Sequence, residues 1–531
     1  MNGEVLRASA FEEAGNLSDE LEAIADGLQI DPENYELFYM LGAYHLQMSN
    51  VNKAFLCFER ALFYMVKKYY ESPSKEIEED IKMTHKHLNE LRIIPNMKVR
   101  QVSIVIVSYN DIEYMKQCLA AIRSSELEDN YQIVVVDNAS TDGVLEYLRQ
   151  QEDVVLIENK KNVGFPKGCN IGVRSCNPEN DIFLLNNDAI LTPNALFWLR
   201  MGLYDSRDVG ATGAMSSNAT LQTIDVYTAR ENGTSVKLSA SAVADAAYIK
   251  KCQVDRQGNI ALTFRPEGKF ITYEAFVNRV QVRRPDLYYE YESRQRLTGY
   301  AVLIKREAVM DVLMEGDLLD TRFSPGYFED DDLGIRLSLA GYKQYLCHNS
   351  YIYHYGGSGF EGKKNAMEAS RKKFIKKWGF DIWEYSCPDD DAVVEIFAKT
   401  AGKVSTKDKK KKTVAIDHKT DISARISAYP LRILELGCGF GATIGTLKYI
   451  FPNSYVAGIE RAPGIAAIGQ VAAGSSFSEI LVGDPLVMQL PWGDNFFDYI
   501  IVSDGLLKDN PDKVHEVFDS KLKKDGGYIY T

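Results

Sequence analysis

Between Asn16 and Arg92 apolar residues recur at helical spacing and strand-like alternation is missing, so this stretch is expected to be all helix. From about Ile94 the pattern changes to short β-branched runs: Ser103 to Tyr109, Tyr131 to Asp137, Val154 to Asn159 and Asp181 to Asn187. Helix-like segments at 111–124 and 167–175 alternate with these runs, which predicts a doubly wound parallel α/β sheet. Such sheets place their ligands at the carboxyl ends of strands, and polar residues gather there: Asn110, Asp137, Asn138 and Asn186 to Asp188. From Asp389 to Ser427 the periodicity fades, and the run Lys407 to Lys412 predicts a solvated linker before a site for an acidic partner. Leu431 to Gly441 then begins a second strand, glycine turn and helix.

The chain has 531 residues, which is too long for one core and predicts three domains: 1–95 helical, 100–388 α/β, then a linker at 389–427 and a second α/β unit at 428–531. A net charge of -13 supplies no basic footprint, so a nucleic-acid partner is not expected. The eight cysteines are scattered without a Cys-x-x-Cys pair, which argues against structural zinc and disulfides. No leader pattern opens the chain and no stretch reaches the ~18 apolar residues of a membrane span. A reducing, cytoplasmic setting is expected, with peripheral attachment at the inner membrane face as the alternative.

Leu41, Gly42, Ala54, Phe58 and Ala61 sit where a tetratricopeptide repeat places its small and large packing residues, with Phe38 where Trp usually stands. Over about 75 residues the helical region resembles such proteins. The resemblance implies stacked helix pairs with a concave face that holds a partner. The alternative is a cap that packs on the next domain or forms a homo-oligomer. His45 and His85 are expected to pack or face solvent, not to bind a ligand.

Four ordered blocks, VSIVIVSYN, VVVDNASTDG, NVGFPKGCNIG and LLNNDAIL, resemble the inverting family-two glycosyltransferases of the GT-A, Rossmann-like fold. The resemblance implies that Ser108, Tyr109 and Asp137 hold a nucleotide, since a carboxylate at a strand end can accept from a uracil or thymine ring N–H or from ribose. Gly164 lets the backbone approach closely, Lys167 offers a point charge to phosphate and Asn170 can hydrogen-bond locally, although glycines in such a stretch also simply make turns. Asn186-Asn187-Asp188 stands where the family has Asp-x-Asp. Departure of a diphosphate needs a cation, and oxygen ligands suit Mg2+ or Mn2+. Asp188 is the expected ligand, while Asn186 replaces the first acid and is expected to contact sugar or ribose.

The second half, Arg296 to Ala308, Phe323 to Lys343 and Tyr351 to Gly359, resembles the family too. In Phe328-Glu-Asp-Asp-Asp the Asp after Glu is the family's base, hence Asp330, with Glu329 beside it as a second catalytic candidate. An inverting transfer needs a carboxylate that deprotonates the acceptor, and a tight acidic cluster can raise one pKa. Four acids also suit a helix start, and Asp332 and Arg336 are expected to pair on that helix. His354 matches the family's third metal-facing residue. The stretch 218–295 exceeds the family pattern and is expected to shape the acceptor side.

The last unit resembles class I S-adenosylmethionine methyltransferases through Glu435, Gly437 and Gly439 of its glycine turn, Glu460, Asp484 and the run Phe497 to Leu506. The fold is expected to be partial, because the sequence reaches residue 531 at its fifth strand, with S-adenosylmethionine the candidate cofactor. Together the resemblances imply a metal-dependent transferase of polysaccharide or glycoprotein synthesis that takes a UDP- or dTDP-sugar to a glycan or protein acceptor. A bifunctional glycosyl- and methyltransferase, and a weakly active scaffold recruiting partners through its helices, are the alternatives. The helical repeats are expected to hold the acceptor.

Overall fold

The computed structural model describes residues 2–13, 15–126, 130–223, 252–254, 260–262, 272–281, 283, 285–288, 291–356, 363–406, 414–415, 429–475 and 477–531. Most of the 218–295 stretch, the Lys407 to Lys412 run and the glycines at 357 and 359 lie outside the described residues.

Five helices open the chain: Asn2–Glu13, Leu17–Ile30, Tyr35–Gln47, Val51–Glu71 and Lys75–Arg92. Asn16, Asn34 and Ser74 cap the second, third and fifth, each accepting a hydrogen bond from an otherwise orphaned backbone N–H. Gly42 lets the third and fourth helices close together, since a Cβ there would lie 2.8 Å from the Phe58 ring. The region is helical as expected. One of its faces is spent on the α/β domain: Phe38 meets Phe197 edge-on at 5.3 Å, and the Tyr64 hydroxyl donates to Asn194 at 2.8 Å. Two buried ion pairs, Arg200 with Glu59 and Arg60 with Glu126, close the same seam. His45 is buried, and its pKa is lowered to about 3 by that burial and by Lys53 nearby, as befits a packing residue.

The middle domain is built on a nine-stranded sheet. Its strands are β1 (Val102–Ser108), β2 (Tyr131–Asp137), β3 (Val154–Glu158), β4 (Asp181–Asn186), β5 (Ala189–Leu191), β6 (Val209–Ser216), β9 (Tyr291–Arg294), β10 (Ala301–Ile304) and β11 (Lys343–His354). The order is β3-β2-β1-β4-β10-β6-β11-β5, with β9 paired to β11. β3, β2, β1 and β4 are parallel, but β10 runs antiparallel to its neighbours and β5 and β9 antiparallel to β11. β6 and β11 pair parallel and run with the first four, so the expected parallel sheet holds for six of the nine strands, and β10, β5 and β9 run against them. β9 also moves the end of the expected insertion into the sheet. A small three-stranded sheet joins β7 (Cys252–Val254), β8 (Ile260–Leu262) and β12 (Val414–Ala415).

The expected linker begins with a helix, Asp390–Thr406. Ala392, Val393, Ile396 and Phe397 recur at helical spacing and are buried in the core of the last unit, so this part of the chain belongs to a domain. That unit carries a five-stranded parallel sheet: β13 (Arg432–Leu436), β14 (Tyr455–Glu460), β15 (Ser478–Val482), β16 (Phe497–Val502) and β17 (Leu522–Tyr530), in the order β15-β14-β13-β16-β17. No helix among the described residues is long and apolar enough to cross a membrane.

Candidate active site

The ends of β1 and β2 lie in register, Ser108 opposite Asp137. Both side chains are buried, and neither Ser108 Oγ nor Asp137 Oδ1 has a hydrogen-bond partner among the described residues. The other carboxylate oxygen of Asp137 accepts from the Ser140 N–H at 3.1 Å. Each orphaned atom costs about 1–3 kcal/mol that a ligand offering a complementary group would recover. Tyr109 follows at 44% exposure, and Asn110 adopts φ +62°, turning the chain sharply at the strand end.

Asn186, Asn187 and Asp188 connect β4 to β5. His354, the last residue of β11, pairs with Ala189, which brings its ring to Asp188. Asp188 Oδ1 and His354 Nε2 are 3.2 Å apart, and the Asn186 side-chain amide nitrogen is 3.3 Å from the same Nε2. His354 Nδ1 lies 2.7 Å from the Asn218 carbonyl oxygen, a contact that places one proton on Nδ1, so Nε2 is the lone-pair nitrogen of the neutral ring and the one that donates to Asp188 when the ring is charged. Burial opposes an imidazolium here, yet the hydrogen bond and charge of Asp188 outweigh it and raise the His354 pKa. The ring stacks on Tyr300 at 5.0 Å, and Gly356 N–H donates to Asp188 Oδ2 at 3.2 Å.

The two atoms fit a divalent cation. Two ligands with bonds of about 2.1 Å at right angles lie about 3 Å apart, close to the Asp188–His354 separation. Among the described residues no third His, Cys, Asp or Glu joins them. A small hard cation held by one or two protein groups completes its shell with water and substrate phosphates.

The helix Glu329–Leu339 starts with four acids in its first turn, where they favour the dipole. They have separate environments. Glu329 is buried beside a small cavity lined by Phe165, Leu184, Leu297 and Leu333; burial first, and then the charge of Asp330, raise its pKa well above the carboxylate range. Burial behind Asp330 thus disfavours the charged form of the second catalytic candidate. Asp331 is buried against Arg296 and pushed up to about 7 by that burial, which the guanidinium partly offsets. Asp332 pairs with Arg336 at 2.9 Å, as expected, and also with Lys377 and with Trp378 Nε1 at 2.9 Å. Asp330 alone is half-buried without a cation on it: its Oδ2 accepts from the Gly299 N–H at 2.9 Å and its Oδ1 from the Asp331 N–H at 2.9 Å. Tyr327 and Phe328, at φ +73° and +70°, set the turn into this helix, at a cost of about 1–3 kcal/mol each. Gly299 is followed by Tyr300, whose carbonyl accepts from the Asn186 N–H at 2.8 Å, so one short segment joins Asp330 to the Asp188–His354 pair.

Two expected nucleotide contacts are placed otherwise. Gly164, at φ +84°, makes its close approach to protein: a Cβ would lie 2.8 Å from Pro325 Cα, and the Phe165 N–H donates to the Pro325 carbonyl at 2.9 Å. Asn170 is buried with both ends of its amide on the Leu319 backbone, at 2.7 and 2.8 Å. These residues fasten the glycine-bearing helix to the loops before Asp330. Lys167 is exposed on the same helix. Arg296, Tyr300 and the Asn218 carbonyl were not singled out by sequence. Arg296 and Tyr300 fall within the family-like block Arg296 to Ala308, but nothing in that block marks them as site residues.

The C-terminal glycine turn packs closely against its own chain. A Cβ on Gly437 would meet the Asp504 backbone at 2.8 Å, and one on Gly439 the Tyr385 carbonyl oxygen at 3.2 Å. Both Glu460 oxygens already accept backbone N–H groups, from Gly439 at 3.0 Å and Ala462 at 2.9 Å. Glu435 is buried, with a pKa raised to about 8 by that burial, and Asp484 pairs with Arg461 at 3.4 Å. Glu460 and Asp484 are thus engaged within the chain, whereas Glu435 Oε2 has no hydrogen-bond partner among the described residues.

Residues 103–214 match the family model described as Glycosyl transferase family 2. This is the glycosyltransferase pattern, carried by the β1 to β6 half of the site. Over 115 residues the chain is 30% identical to a poly(ribitol-phosphate) beta-glucosyltransferase of Bacillus spizizenii, a match covering 20% of this chain and 18% of that protein. The chain thus spans under a fifth of that relative's length. Among solved structures, GalNAc-T7 with UDP, GalNAc and Mn2+ is 14% identical, with 59% of this chain and 52% of that chain covered at a TM-score of 0.36. Mannosyltransferase PcManGT from Pyrobaculum calidifontis in complex with GDP-Man and Mn2+ is 12% identical, with 78% and 85% covered at 0.32. S. aureus TarS in complex with UDP is 12% identical, with 53% and 72% covered at 0.28.

Proposed function

We propose that this chain is an inverting, divalent-cation-dependent glycosyltransferase that moves a sugar from a UDP- or dTDP-sugar to a glycan or protein acceptor. The observation that carries the reading is the pairing of Asp188 with a His354 whose Nε2 faces it, one short segment away from Asp330. Asp188 and His354 would hold Mn2+ or Mg2+, which neutralises the departing diphosphate. Ser108, Tyr109 and Asp137 receive the nucleotide, Lys167 lends charge to its phosphates, and Asn186 addresses sugar or ribose. Asp330 takes the acceptor's proton as the hydroxyl attacks the anomeric carbon opposite the leaving group. Glu329, buried behind Asp330, backs it from the apolar cavity.

A panel of UDP-, dTDP- and GDP-sugars scored for hydrolysis in Mn2+ tests this reading. Turnover of at least one uridine or thymidine donor, abolished by chelation and by Asp188→Ala, is expected. Metal-independent turnover, or none with any donor, sinks it. Asn186, an amide where the motif has a carboxylate, favours a second reading, a recruiting scaffold that has lost turnover, and the same panel separates the two. The strand order and glycine turn of the C-terminal unit favour the methyltransferase resemblance, and titration calorimetry with S-adenosylmethionine tests whether the unit binds that cofactor.

A further inference from the structure

The helix Glu329–Leu339 does not rest on the middle domain alone. Its Ile335 shares one apolar cluster with Phe440, Ile465 and Ile468 of the C-terminal unit. Phe440 is the residue inside the glycine turn, and its N–H donates to the Tyr385 carbonyl at 3.3 Å.

The same unit grips β9. Thr446 Oγ1 donates to Glu292 Oε1 at 2.5 Å, and Ser293 Oγ donates to the Ala472 carbonyl. Glu292 also pairs with Arg294 at 3.0 Å and His348 at 2.9 Å, and the His348 ring stacks on Tyr449 at 3.9 Å. A fully buried carboxylate with these partners makes the seam expensive to open. The approach depends on Gly445, where a Cβ would lie 2.4 Å from the Ser293 carbonyl oxygen. That obstacle is backbone, so a methyl group fits only if the helix Ala442–Ile450 moves away from β9.

β9 runs on to Arg296 and Gly299. Arg296 binds Asp331, and the Gly299 N–H holds Asp330 Oδ2. Two lines of contact therefore reach Asp330 from the C-terminal unit, one through the helix packing and one through β9 and the residues after it.

We propose that the C-terminal α/β unit is a positioning element for Asp330, its glycine turn and first helix serving as a brace that fixes the carboxylate; this rests on Asp330 being the base. The unit is then part of the transferase site.

Gly445→Ala and Thr446→Val in the full chain test the brace. The first strengthens the intrinsic helix propensity of its own helix, so a merely local effect would tighten residues 442–450. The second removes one seam hydrogen bond at nearly constant shape. Amide hydrogen exchange and hydrolysis in Mn2+ of the panel donor that the parent turns over fastest are the readouts, with kcat and donor KM separated. For Gly445→Ala, faster exchange at 296–299 and 329–339 is expected, with kcat reduced about 10- to 100-fold and donor KM unchanged, because about 1 Å of misplacement is that costly. Thr446→Val should move both readouts the same way by less. Exchange altered only within 442–450, with kcat at the parental level, overturns the proposal. A parent that hydrolyses none of the panel's donors defeats the glycosyltransferase reading, while the exchange at 329–339 still decides the brace.

Discussion

Replacing Asp330 with asparagine removes the one carboxylate of the helix start that is neither deeply buried nor bound to a cation. Its two oxygens each accept one backbone N–H, from Gly299 and Asp331. Asparagine keeps a carbonyl oxygen for one of them and presents an NH2 group to the other, so the fold loses about 1 kcal/mol, one net hydrogen bond. The chemistry loses more. A positioned general base contributes about 10²- to 10⁴-fold, which at about 1.4 kcal/mol per tenfold is roughly 3–5 kcal/mol of barrier. Steady-state turnover of the active donor in Mn2+, measured beside a thermal melt, separates the two effects. A fall in kcat of about two to four decades is expected, with donor KM and melting temperature close to those of the parent. An Asp330→Asn enzyme that turns over at the parental rate would remove this residue from the base role, and one that melts far lower would make Asp330 structural.

Asp188→Asn should raise the Mn2+ concentration for half-maximal activity at least about tenfold, since one of two protein ligands loses its charge, and an unchanged Mn2+ titration would place the cation elsewhere. Arg200→Met leaves Glu59 buried without its cation and should cost about 3–5 kcal/mol in denaturant unfolding, so a loss below about 1 kcal/mol would mean the helical region is held by other contacts. Burial works against the Glu292 charge, but Arg294 and the hydrogen bonds from His348 and Thr446 prevail and hold its pKa down at about 2. Its folded pKa is depressed, so its stabilisation of a few kcal/mol is present above about pH 4.5 and is lost as pH falls toward 2. Parent and Glu292→Gln should therefore differ in stability at neutral pH and converge on acidification, and a constant difference across that range contradicts the assignment.

The strand ends of the site were legible because β-branched runs stop at polar residues: Ser108, Asp137 and Asn186 all stand at or within one residue of a strand end. Asp332 and Arg336 were legible because a pair four apart on a helix is local. What stayed hidden depends on partners far along the chain. Gly164 looked like a phosphate-binding turn, and only the fold shows Pro325, 161 residues later, filling the space beside it. Glu329 and Asp330 are neighbours of similar chemistry, and burial alone separates them. The helix Asp390–Thr406 was obscured by its charged flanks, although its apolar residues have helical spacing. The three opposed strands escaped because a β-branched run does not disclose its direction. The contacts across the C-terminal seam pair Glu292 with Thr446 and Ser293 with Ala472, and no periodicity announces them.

Ser217 and Asn218 lie where the chain leaves β6 for the long inserted stretch, and both are fastened to the end of β11. The Ser217 hydroxyl accepts from the His354 N–H at 2.9 Å and donates to its carbonyl at 3.0 Å, while the Asn218 carbonyl faces Nδ1 of the imidazole. The imidazole's tautomer and aim are thus set at the root of the inserted stretch. A few residues on, Gln222 accepts from the N–H of Thr298, the neighbour of the Gly299 that holds Asp330. A change at this root would therefore reach the histidine and the carboxylate together, although 112 residues of sequence separate Asn218 from Asp330.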